Sequence, residues 1–190
     1  MRAAVIAIAI VLVTTSAHAE PSDRTIFFTG LALAPPDYLL GVALHEGSHA
    51  LAAKLVGAKV TELHLFPPGR DPKGHWRFGW TYVTGLQGKG NRIFFLIAPK
   101  LTGVLLLGGF AALVFSDAWP NNRYGQVALT VLATGYWVDF SKDVLAFRKS
   151  NDVVKIFDLW CIHGVARQLA TRLVYASAIA GLGYLVYRGY

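Results

Sequence analysis

The stretch Leu39-Leu40-Gly41-Val42-Ala43-Leu44-His45-Glu46-Gly47-Ser48-His49-Ala50-Leu51-Ala52-Ala53 sets two histidines and a glutamate in an apolar run without proline. On an α-helix, His45 and His49 fall one turn apart on the same face, so both imidazoles can converge on one metal ion. Glu46, beside them, can reach a metal-bound water without ligating the metal. This H-E-x-x-H spacing predicts a Zn2+ site with Glu46 as the catalytic base. The flanks predict the helix itself. Pro35 and Pro36 precede Asp37, which can cap it, and Gly57 can end it after Val56. Ionisable groups in such a setting cost a few kcal/mol each in a bilayer unless they find partners. The alternative is a polar patch whose histidines are merely hydrogen-bonded.

The rest of the chain is apolar enough for lipid. Of 190 residues, 54% are hydrophobic and 15% are charged. Soluble domains carry about 25% charged residues, so the balance favours a membrane protein. Residues 1–19 read as a secretory signal: Arg2, an apolar run from Ala3 to Val13, and Ala17-His18-Ala19 before Glu20. The alternative there is an uncleaved anchor helix. Residues 20–190 read as a single membrane-embedded domain, mainly α, a polytopic helical bundle. Its candidate spans are Asp37–Val56, Ile93–Phe115, Gly125–Phe140 and Leu169–Tyr187. The third is short, and Asp139 sits at its end.

Charge placement agrees with that topology. Lys59, Arg70, Lys73, Arg77, Lys89 and Arg92 fall in the first loop, and Lys142, Arg148, Lys149, Lys155 and Arg167 follow the third segment. The loop between, 116–124, holds only Arg123. Positive charge on alternate loops places the first and third on the cytoplasmic side of a membrane, expected to be the bacterial inner membrane. The same placement accounts for the net charge of +7 without nucleic acid, for which no basic helix or groove-reading motif is present. Within the first loop, Ala58 to Phe66 and Trp76 to Val83 alternate like strands around Pro67-Pro68-Gly69. A small β-hairpin against the membrane face follows, with Trp76, Trp80 and Tyr82 at the interface. Cys161 is the single cysteine, which excludes an intrachain disulfide and predicts a packed apolar residue.

The run Ala43 to Ala53, followed by Gly57-Ala58-Lys59-Val60, resembles the active-site helix of site-2-protease-type intramembrane zinc metalloproteases. Leu96-Ile97-Ala98-Pro99 is similar to that family's A-G-P-type segment. The order Gly47-Ser48 departs from the family, which places glycine directly before the second histidine. The resemblance implies a third metal ligand from an aspartate in an L-D-G-type motif. The nearest match is Asp152 in Ser150-Asn151-Asp152-Val153-Val154, although the following glycine is missing and Asp152 can equally cap a helix. Asp139 and Asp143, four apart near the end of the third segment, are rivals, while Asp158 and His163 fit a polar helical stripe. His64 and His75 read as surface or interfacial residues, and Asn151 is a candidate oxyanion donor. The implied activity is cleavage of membrane-embedded or membrane-adjacent peptide bonds, with a membrane protein as substrate. The competing expectations are a catalytically inactive metal-binding scaffold and a small transport or assembly component handling protons or metal ions.

Overall fold

A computed structural model of the protein describes residues 20–145 and 151–189; the expected signal segment lies outside them. Helix α1 (Asp23–Leu55) has 33 residues and spans about 50 Å at 1.5 Å per residue. It begins well before the expected boundary at Asp37. Ser22 is its N-cap, accepting a hydrogen bond from the Thr25 amide at 3.2 Å, and Pro35 and Pro36 lie inside it. Two prolines remove two donors, so the carbonyls of Leu31 and Ala32 lose their helical partners. In an apolar medium no water competes for the rest of the ladder, so the helix continues through them. Asp37 is therefore no cap; its carboxylate packs against Gly135, where a Cβ would have no room. At the other end Gly57, at φ 76°, turns the chain out of the helix. There Ala58 N–H reaches back to the Ala53 carbonyl at 2.9 Å, the left-handed glycine stop.

The polar loop forms two nested hairpins instead of one. Strand β1 (Lys59–His64) pairs antiparallel with β4 (Trp80–Thr84), and between them β2 (Gly69–Arg70) pairs with β3 (Trp76–Arg77). The expected second strand is interrupted at Gly79, which presses on α1. A Cβ there would stand 2.8 Å from Val42 Cγ1, 3.0 Å from Glu46 Cγ and 3.0 Å from the His64 carbonyl. Only one of the three expected interfacial aromatics is well exposed. Trp76 is, whereas Trp80 stacks on His64 and donates to Glu62 Oε1 at 2.7 Å, and Tyr82 donates to Asp71 Oδ2 at 3.0 Å.

Four more helices follow: α2 (Lys89–Val114), α3 (Arg123–Val144), α4 (Asp152–Leu159) and α5 (Val165–Gly189). Among the described residues three helices, α1, α2 and α5, are long and apolar enough to cross a membrane. The third expected span is α3, which carries Arg123, Asp139, Lys142 and Asp143 and packs between the others. Its Ala133, Tyr136 and Phe140 meet Leu107 and Phe110 of α2 and Ile179 and Val186 of α5 in the core. The outer surface stays apolar, with Leu105 76% and Val174 73% exposed, a surface that lipid covers at no cost and water does not. Cys161, expected to be packed, is exposed in the turn after α4.

Candidate metal centre

The H-E-x-x-H turn of α1 meets α2, β4 and α4. His49 is buried, stacked on Phe95 of α2 with ring centroids 4.5 Å apart. Its Nδ1 lies 2.7 Å from the Phe95 carbonyl, an acceptor, so Nδ1 carries the hydrogen and Nε2 faces the site. That carbonyl is available for a reason written in the sequence. Pro99 lies four residues on within α2 and has no N–H to give it.

Nε2 of His49 is 3.0 Å from Asp152 Oδ2, and Nε2 of His45 is 3.6 Å from the same oxygen. One ligand atom from each of the three residues lies within 4.8 Å of the others. Ligands around a tetrahedral zinc at 2.0–2.1 Å stand about 3.3 Å apart, so the donor set has the right kind, number and spacing. The contact also asks for a cation. With Nδ1 donating to Phe95, a neutral His49 turns a lone pair on a carboxylate oxygen, which a metal ion between them, or a proton on Nε2, resolves. With protons there, burial still works to raise the Asp152 carboxyl, but the hydrogen bonds from His45 and His49, with Lys155 close by, outweigh it and hold it well below the ordinary carboxylate range. Lys155 Nζ takes Asp152 Oδ1 at 2.8 Å, leaving Oδ2 for the histidine side.

Asp139 and Asp143 do not join this group. Both pair with Lys100 of α2, and Asp139 also pairs with Lys142. Asn151 lines the cavity beside this group; one N–H of its Nδ2 donates to Asp143 Oδ1 at 2.8 Å and its Oδ1 caps α4. Ser48, in the position where the family resemblance expects glycine, donates to the Leu44 carbonyl at 2.6 Å and meets Thr102 Oγ1 of α2 at 2.7 Å. The exchanged Gly47-Ser48 order thus serves helix packing: a Cβ on Gly47 would meet nothing.

Glu46 projects toward the sheet instead of the ligand group. The Thr81 hydroxyl of β4 donates to Glu46 Oε2 at 2.8 Å, with the Glu46 carbonyl oxygen at 3.0 Å as a second acceptor. A cavity of about 460 Å³ lies here, lined by His45, Glu46, His49, Thr81, Lys100 and Asp152 among others. The β2–β3 turn stands over it. Asp71, at its base, accepts the Lys73 and His75 amides at 2.9 Å each, Arg77 Nε at 2.7 Å and the Tyr82 hydroxyl. Burial opposes ionisation of Asp71, yet these four donors together hold its carboxyl well below the usual range.

With this geometry in hand, comparison with known proteins is decisive at one level. A family model described as Peptidase M50B-like matches residues 2–146. The chain belongs to this family, that of the site-2 proteases. No curated protein and no solved structure matches it. As a member of the M50B-like family it is an integral membrane protein, and that family is one of zinc metalloproteases. The matched residues include His45, Glu46 and His49 and stop short of Asp152, so the place of Asp152 at the site rests on the tertiary structure. Thr81, Phe95, Lys100 and Lys155 are the site residues that sequence reasoning missed. Lys100 alone had a signal, an ionisable residue inside an apolar segment.

Proposed function

We infer that this chain is an intramembrane zinc endopeptidase that cleaves membrane-embedded or membrane-adjacent peptide bonds of other membrane proteins. The observation that carries it is the convergence of His45, His49 and Asp152 from two distant helices, with Glu46 beside them and outside the ligand group. Those three residues would hold the metal. A bound zinc ion supplies a Lewis acid for the peptide carbonyl and brings the pKa of its water to about 7.

The chain's own residues do the rest. Thr81 holds Glu46 Oε2, which assigns Oε1 to the proton taken from the attacking water and later returned to the leaving amine nitrogen. Phe95 keeps the His49 ring in one tautomer, and Lys155 keeps Asp152 to a single ligating oxygen. The cavity beside β4 would receive an extended stretch of substrate, which a membrane helix must unwind to present. The Lys and Arg alternation supports a bacterial inner-membrane setting with the sheet and α4 at the cytoplasmic face. Lipid and a membrane-protein substrate are then the partners, and nucleic acid is not one.

Metal analysis of the purified protein tests this first. One zinc per chain is expected, lost in His45→Ala and in Asp152→Ala and kept in Asp139→Ala. Glu46→Gln should keep the zinc and abolish cleavage of a transmembrane peptide in vesicles. Zinc bound without cleavage in the wild type would favour the inactive scaffold; no metal at all would remove both.

A further inference from the structure

Lys100 lies in the apolar run of α2, with its side chain 12% exposed, facing two carboxylates of α3. Its Nζ is 2.5 Å from Asp143 Oδ2 and also pairs with Asp139; the Asp143 side chain is 2% exposed. Burying such charges costs several kcal/mol per ion before pairing, and apolar side chains of like volume would hold helices together as well or better. Cohesion alone therefore does not account for the cluster. The second oxygen of Asp143 does. Oδ1 accepts a hydrogen bond from Asn151 Nδ2 at 2.8 Å, while Asn151 Oδ1 accepts the Val153 and Val154 amides at 2.9 and 3.3 Å.

Asn151 is thus the N-cap of α4 and is tied to α3 by the same side chain. The next residue is Asp152. An eight-residue helix has little stability of its own, so its first turn takes its place from what holds the cap. The anchor is firm on its other sides too: Arg172 of α5 donates through Nη1 to the Asp143 and Val144 carbonyls at 3.1 and 2.6 Å.

We propose that Asn151 is a positioning residue for the metal centre: held by Asp143, which Lys100 anchors in turn, it sets the first turn of α4 and aims Asp152 Oδ2 at His45 and His49. This rests on the metal site proposed above and identifies what places its third ligand.

The test uses the full chain in detergent, with Zn2+ and with Co2+ as a spectroscopic stand-in. Asn151→Asp keeps the capping oxygen and removes the amide that Asp143 accepts. Metal affinity by chelator competition should fall about ten- to a hundred-fold, and the visible Co2+ bands should change as the carboxylate ligand shifts. The melting temperature of the metal-free protein should fall only modestly, because the cap survives while two carboxylates now face each other. Combining Asn151→Asp with Asp143→Asn rebuilds the hydrogen bond in the opposite sense and should restore affinity and spectrum. A single variant with wild-type affinity and bands, or a double variant that recovers neither, overturns the proposal while leaving the metal site standing. A wild type that binds neither ion overturns the metal site and this proposal together.

Discussion

The carbonyl of Phe95 receives no hydrogen bond from Pro99 and accepts one from His49 Nδ1 at 2.7 Å. A helix-interior proline, costly by about 3 kcal/mol relative to alanine, thereby provides the acceptor that orients a buried imidazole. In Pro99→Ala the restored N–H competes for that oxygen. Zinc affinity should weaken by about ten-fold or more while thermal stability holds or rises. Chelator competition and thermal melting read the two effects separately; unchanged affinity would show that the Phe95 carbonyl does not govern His49.

Thr81 links the proposed base to the sheet through Glu46 Oε2. Thr81→Val preserves shape and deletes the hydroxyl, so kcat for a transmembrane peptide should drop about ten-fold or more with KM and bound zinc unchanged. Steady-state kinetics beside metal analysis make the check, and a rise in KM alone would contradict the orienting role.

Gly79 is where the sheet touches α1, and a methyl group added there would stand 3.0 Å from the backbone oxygen of His64. Backbone cannot swing aside as a side-chain tip can. Gly79→Ala should therefore destabilise the protein by about 1–3 kcal/mol and shift Glu46. Denaturant unfolding and activity should both fall; wild-type values for both would mean that the sheet is free to move away from α1.

The β2–β3 turn depends on an ionised Asp71. Its folded carboxyl is held below the unfolded range, so the stabilisation is fully present above the ordinary carboxylate pKa of about 3.9 and is lost as pH falls below it. Hydrogen-exchange protection of the Lys73 and His75 amides should decline on acidification in the wild type. In Asp71→Asn it should be lower at neutral pH and nearly flat across the same window. Parallel pH profiles in the two proteins would count against the carboxylate as the organiser.

Much of the chemistry was legible locally. Residues four apart on a helix share a face whatever surrounds them, so His45 and His49 announced a pair with Glu46 beside it, and apolar runs announced the membrane bundle. Pro35-Pro36 misled because proline is a stop signal chiefly where water can replace the lost bonds; in α1 the ladder continues on either side. The single hairpin became two because Gly79 is held against α1, a contact that strand alternation does not encode.

The H-E-x-x-H turn, the family and the apolar exterior follow from the sequence without any fold, since each depends on spacing or composition within one segment. Separating Asp152 from Asp139 and Asp143 required the folded chain. All three are acidic residues near helix ends, and the motif that favours Asp152 lacks its glycine. Asp152 lies 103 residues from His49, and their approach is set by how α2 and α3 seat α4. Lys100 claims the other two carboxylates, and Asn151 ties the remaining one's helix to that buried charge.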